Sequence, residues 1–297
     1  MATLFAGITG GTAMDDPVVE AQGGRLLQGP GTGAEMAGAV WSGIGRIALA
    51  LVMIGLGVRG VWTAEFASVW QQIPLGHLPG RAAWATATAA VELAVGLGLL
   101  WRRAAVAASA ALLAFTILWA ALLKLPPVIA VPGLEANWLG LGEITVIVAA
   151  AWLLFLTRAR ANAGSPTDPP ASNPGVIAAR TLFALSLPAI GLSHFFYVAE
   201  TAAFVPGWLP YPVFWAYLTG AGNLAACLGI LLGIVPRLAA ALEAAMLMAI
   251  TLLVWLPGAI AMPGDASLTP LLISAAIACG AWVVADSYSG LPWRTVR

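Results

Sequence analysis

The chain has 297 residues, 61% of them hydrophobic and only 9% charged, with a mean hydropathy of +0.92 and 13 Trp. Soluble domains carry roughly 25% charged residues, so this composition excludes one and points to an integral membrane protein. Thirteen basic residues balance thirteen acidic ones, which leaves no electrostatic footprint for nucleic acid, and two Cys and two His set far apart exclude a disulfide framework, an iron–sulfur site and a zinc cluster built from this chain alone, and argue against bis-histidine haem ligation.

Residues 1–39 are Gly-rich and interrupted by Asp15, Asp16 and Glu20. They lack the basic start and unbroken apolar run of a secretory signal and read as a disordered tail. Eight stretches follow that are long and apolar enough to cross ~30 Å of hydrocarbon: 40–63, 82–101, 104–124, 138–157, 178–199, 212–235, 238–256 and 268–286. In lipid every backbone polar group must be satisfied within the segment, so these are helices, and the absence of apolar–polar alternation argues against a barrel. The expected architecture is all-α and polytopic, with eight transmembrane helices arranged as two parallel four-helix-bundle repeats.

Along the first four helices the polar residues stand out one by one. Arg46 opens the first helix and Arg59 lies near its far end; His77, in the loop that follows, reads as a solvated loop histidine. Glu92 lies ten residues into the second helix, about 15 Å deep and near the midplane. Lys124 closes the third helix just before Leu125-Pro126, and Glu143 sits about 7 Å inside the fourth. An ionisable side chain at the membrane centre costs roughly 2.5–3.5 kcal/mol to insert, so each of these is either functional or paired. Glu92 has two readings, a proton- or ligand-binding carboxyl or a structural carboxyl paired with Arg59 or Lys124. The depths of Arg59, Glu92, Lys124 and Glu143 allow one polar cluster open to the same side.

Residues 158–177 form a polar, Pro-rich linker that cannot build a core. In the fifth helix His194, Tyr197 and Glu200 follow at i, i+3 and i+6, a spacing that predicts a polar strip at its outer end. A histidine there is suited to a quinone carbonyl or a proton relay, and equally to an ordinary headgroup-level hydrogen bond. Asn223 in the sixth helix predicts an interhelical hydrogen bond. Glu243 is expected at the start of the seventh helix, where a negative charge suits the helix N-terminus. Cys227 and Cys279 sit in apolar helix interiors and read as small hydrophobes. Residues 288–297 complete the chain as a short tail. No serine–histidine–acid set and no phosphate-binding Gly motif can be assembled, so catalysis is not expected.

Ten of the thirteen Lys and Arg residues fall on the side of the two termini and the 2–3, 4–5 and 6–7 loops; only Arg59, Arg81 and Lys124 fall on the other. The positive-inside rule then predicts an inner-membrane protein with both termini cytoplasmic, and Trp62, Trp70, Trp84, Trp138 and Trp208 opposite Trp41, Trp101 and Trp152 fit aromatic belts. High Ala, Gly and Arg usage points to a bacterial source.

The halves 40–157 and 178–287 match at a shift of about 131–134 residues. Arg46 falls on Arg180, Gly57 on Gly191, Leu78-Pro79 on Leu209-Pro210, Trp84 on Trp215, Glu92 on Asn223, and Leu125-Pro126 on Leu256-Pro257. An even number of helices per half makes such repeats parallel. Ser193 and His194 stand near the depth of Arg59, and Trp255 takes the place of Lys124. Gly229 and Gly233, spaced as GxxxG, read as a packing seam.

The half-repeat runs from an Arg-headed helix through a Pro-containing loop and a polar second helix with Gly-x-Leu-Leu to Arg-x-Ala-Ala and a closing Leu-Pro. It resembles the DoxX and DoxX-like family of small four-helix membrane proteins. The likeness is carried by residues 191–240 in the second half and by 89–106 and 122–129 in the first. The usual member is a single four-helix unit, so this chain resembles a tandem fused pair, and Glu92 matches an acidic residue that such proteins often carry in the second helix. The resemblance implies a non-catalytic accessory or scaffold subunit of a membrane redox, quinone-linked system, with a membrane oxidoreductase as partner and quinone as the one cofactor to expect. The alternative is a binder or carrier of a small lipophilic or protonatable ligand, using the polar cluster around Glu92.

Overall fold

The computed structural model describes residues 43–67, 78–163 and 173–293. The tail 1–39, His77, Trp70, most of the linker, Arg294 and Arg297 lie outside them. The described residues are helical, without strands, and eight helices are long and apolar enough to span a membrane. They are α1 (Ile44–Thr63), α2 (Arg81–Leu100), α3 (Ala105–Ala130), α4 (Glu135–Asn162), α5 (Pro174–Phe196), α6 (Pro212–Leu231), α7 (Pro236–Ala261) and α8 (Asp265–Asp286).

Local chemistry places the starts. Asn173 accepts from the backbone N–H of Gly175 and Val176 at 2.9 and 3.3 Å, and Pro174 occupies the first helical position, so α5 begins four residues before the hydropathy edge. Pro212 and Pro236 open α6 and α7 in the same way.

Leu125-Pro126 and Leu256-Pro257 do not end α3 and α7. Proline has no N–H to donate, and its ring crowds the carbonyl four residues back. Each helix instead widens into one π turn, Ala120–Lys124 and Thr251–Trp255, in which the N–H of Leu125 reaches Ala120 O and that of Leu256 reaches Thr251 O. It then continues for six more residues. These residues are apolar, so extending the helix shields their backbone where hydropathy and proline together had placed an end.

Neighbours in sequence are neighbours in space: α1 packs on α2, α2 on α3, and so on to α8, which returns to α1. A further contact, α4 with α8, braces this ring across its middle. Each half therefore leans on the other, α5 on α4 and α1 on α8. The apolar spans of α4 and α8 are 56% buried against 17% for α7, which identifies them as the central pair. Their sequences show why, since Val146 to Ala151 and Ala276 to Ala281 are apolar or small on every side and are buried on every side. Gly280 lets α8 approach Val146 and Ala150.

One end of the ring is held by arginines. Arg46 Nη1 donates to Leu99 O at the end of α2. Arg180 donates from Nε to Ser287 Oγ at 3.0 Å and from Nη2 to Ser287 O, and its guanidinium lies 3.8 Å over the Tyr288 ring. Arg237 Nη1 donates to Leu291 O and stacks on Trp293 at 4.0 Å. Cations at helix C-termini satisfy the last carbonyls and oppose the negative end of the helix dipole.

Candidate ligand cavity

The intramembrane charges of the first half resolve into two neighbouring sets. Arg59 and Glu92, both buried, are electrostatically coupled across α1 and α2. Arg59 Nη1 also donates to Glu65 O at 3.1 Å, which pulls the chain after α1 back over the bundle. Glu65 pairs with Arg81 at 3.3 Å, and Phe66 is buried edge-on against Trp119.

Lys124 and Glu143 form the second set. The Lys124 side chain runs along α4, with Nζ 3.5 Å from where a Cβ on Gly140 would lie, and its charge acts on Glu143. Glu135 is coupled to Glu143 along the same helix. Because α4 begins at Glu135, Glu143 lies eight residues in, about 12 Å deep. Among the described residues Arg59 thus acts on Glu92, and Lys124 and Glu135 act on Glu143.

A cavity lies elsewhere. A space of about 590 Å³, partly open to the outside, lies in the second half between α5, α6, α7 and α8 and beside the segment Phe204–Leu209. Its wall is apolar and includes Trp208, Trp215 and Trp255. Glu143 reaches it from α4 and also borders the small niche that holds Lys124, so this carboxyl stands between the first half's ammonium and the second half's cavity.

His194 lines the cavity through an exact local fit: Gly220 on α6 has no side chain, and a Cβ there would meet His194 Cβ at 2.9 Å. His194 Nδ1 lies 3.0 Å from Thr219 Oγ1. Around them Ser193 donates to Ile190 O at 2.7 Å, Thr251 donates to Leu247 O at 2.9 Å, and the hydroxyls of Thr251 and Ser274 meet at 2.8 Å. Thr219 and Ser274 carry no sequence signal of their own; Thr219 could have been found only as the residue one turn before Asn223 on the same helix face.

Three sequence expectations change here. The strip of His194, Tyr197 and Glu200 is broken, because α5 ends at Phe196, Tyr197 leaves the helical conformation, and a separate short helix, Val198–Ala203, follows. Tyr197 turns to α4, where its hydroxyl accepts from Ala136 N–H at 3.3 Å, and Glu200 is exposed. Asn223 is fully buried but bonds within its own helix, Nδ2 donating to Thr219 O at 2.9 Å, while Oδ1 has no partner among the described residues. Ser193, on the facing helix, has already donated its only proton to Ile190 O. Glu243 lies a full two turns into α7 and not at its N-terminus, since Pro236 starts the helix earlier; it is buried, with neither carboxyl oxygen partnered among the described residues.

Eight apolar helices in a braced ring, with ionisable groups inside and a cavity between helices, define a multi-pass helical membrane protein. The DoxX family model matches residues 175–256, from the start of α5 to just past the π turn of α7, so this membrane protein carries a DoxX-family domain. That segment supplies His194, Thr219 and Trp255 to the cavity, while Glu143 and Ser274 come from outside it. No curated protein and no solved structure matches the chain.

Proposed function

We propose that the protein is a non-catalytic membrane component that holds a small lipophilic molecule in the cavity of its second half, in the service of a membrane redox system. The observation that carries the binding reading is the cavity itself. Its volume, about 590 Å³, falls within the range of small-molecule sites, and its apolar wall with a few convergent polar groups has the make-up of such sites. The polar focus is His194 with Glu143, in place of the surroundings of Glu92.

The redox assignment rests on the DoxX-family domain and on what the family resemblance implies, an accessory subunit beside a membrane oxidoreductase with quinone as a natural occupant. The proposed setting is a bacterial inner membrane with both termini in the cytoplasm, which the excess of arginine at one end of the ring supports. A tandem origin of the two halves belongs to the same reading. It is supported by the π turns, whose start residues Ala120 and Thr251 are 131 positions apart, and by Gly57 and Gly191, each set against the next helix of its own half.

Native mass spectrometry of protein released from its own membranes in mild detergent tests the function. A retained small-molecule mass that is lost in Leu253→Trp, a cavity-lining position that faces outward enough to tolerate a larger ring, supports the binding reading. A stoichiometric protein partner with no small-molecule adduct would leave the accessory role and remove the ligand.

A further inference from the structure

The protons around the cavity can be assigned one at a time. Thr219 Oγ1 lies 2.9 Å from Trp215 O and 3.0 Å from Ala216 O, as well as 3.0 Å from His194 Nδ1. A hydroxyl has one proton. Were it aimed at His194, the oxygen would face two carbonyl oxygens at hydrogen-bond distance with no proton between them, a repulsive arrangement. Aimed at the carbonyls, as threonine hydroxyls in helices commonly are, it leaves Oγ1 to accept, and Nδ1 must then carry the ring proton. In the neutral ring Nε2 is then the acceptor, and it has no hydrogen-bond partner among the described residues.

The other interior groups follow the same pattern. Ser193 donates to Ile190 O. Thr251 donates to Leu247 O, so the Ser274 hydroxyl is the donor in their 2.8 Å contact. The indole N–H of Trp215 donates to Pro210 O at 2.9 Å. What remains on offer at the Thr219 end is the lone pair of His194 Nε2; Glu143 lines the same cavity, as do three groups with a proton to donate, the Thr201 hydroxyl and the indole N–H groups of Trp208 and Trp255.

We propose that the cavity takes an apolar molecule whose polar head presents a hydrogen-bond donor, a hydroxyl or N–H, to His194, and prefers it to a head that is only a carbonyl, so that of a quinone couple the hydroxyl-bearing quinol is the form held. This rests on the ligand-cavity reading above and adds the chemistry of the head group. A site built to complete such a bond rejects the analogue lacking the donor, because the buried acceptor is then left unsatisfied. Thr219 is a positioning residue, since it determines which ring nitrogen carries the proton.

The test uses the full chain in detergent with two probes, a terminally brominated long-chain alcohol and the ketone of equal length, read by saturable quenching of tryptophan fluorescence; Trp208, Trp215 and Trp255 line the cavity. The alcohol is expected to reach half-saturation at about tenfold lower concentration than the ketone, the effect of one buried hydrogen bond. The preference should vanish in His194→Phe. In Thr219→Val, where the ring can take either tautomer, the ketone should gain on the alcohol. Equal binding of the two probes to the unaltered protein, or a preference that survives both substitutions, overturns the head-group inference and leaves the cavity reading standing. No saturable quenching by either probe removes the cavity reading and the inference with it.

Discussion

Gly57→Ala is the most informative single change to the fold. Gly57 sits where α1 crosses α2, and a Cβ there would lie 2.4 Å from Leu93 N, 2.6 Å from Leu93 Cβ and 2.7 Å from Ala89 O. Two of these atoms are backbone, so no side-chain rotation relieves the clash. Ordinary contact begins near 3.4 Å, and α2 must therefore retreat by about 1 Å. The same interface contains Gly60, whose Cβ would be 2.6 Å from Ala89 Cβ, and Gly96, whose Cβ would be 2.7 Å from Ala50 O. A gap of about 1 Å gives up roughly a quarter to a half of the dispersion well at every such contact. Overpacking of this kind costs about 1–3 kcal/mol, and the upper half of that range is expected because Arg59 and Glu92 flank the crossing and move with it. Gly191→Ala should cost less, since its nearest atoms, Asn223 Cβ and Gly220 O, are at 2.9 Å. Gly133→Ala, with nothing within 4 Å, is the neutral control. Unfolding by SDS titration in mixed micelles, followed by circular dichroism, gives the three values. A Gly57→Ala protein as stable as Gly133→Ala would refute the close α1–α2 crossing.

Further outcomes follow from the buried charges and the arginine contacts. Arg59→Met or Glu92→Leu alone should destabilise by about 3–5 kcal/mol, whereas the double substitution should recover most of the loss, because a lone buried charge is worse than none; single and double variants that lose equal amounts would argue against the pairing. Glu243→Met should raise stability by about 1–3 kcal/mol, as it removes two buried oxygens without partners among the described residues, and a fall in the same titration would mean that the carboxyl has a task. Arg180→Met removes the donors to Ser287 and the stack on Tyr288 and should cost about 1–3 kcal/mol, with faster hydrogen exchange at the end of α8; unchanged exchange there would contradict the contact.

The eight helices were legible because hydropathy alone decides whether a stretch of about 20 residues crosses lipid. The helix ends were less so. Proline reads as a stop, yet the apolar residues after Pro126 and Pro257 prolong α3 and α7 once a π turn removes the clash. Hydropathy also reports depth and not direction around the helix. Glu92, Lys124 and Glu143 were recognised as intramembrane ionisable groups by depth, but their partners depend on which faces meet, and Glu143 turns toward the second half only because α4 packs on α5 and α8. His194 was visible as a candidate; Tyr197 and Glu200 were grouped with it on the premise of an unbroken helix, which ends one residue before Tyr197. The cavity was not legible at all. It reflects the absence of filling side chains: the position 131 residues after Trp119, a large residue of the first-half core, holds Ile250 in the cavity wall.

The most direct test of the central claim is a cryo-EM map of the protein in nanodiscs made with lipids of its own membrane. The account predicts elongated non-protein density inside the space between α5, α6, α7 and α8, with its head within hydrogen-bond distance of His194 Nε2. A well-resolved map in which lipid density stays on the outer surface, and the cavity is closed by its own side chains, would contradict it.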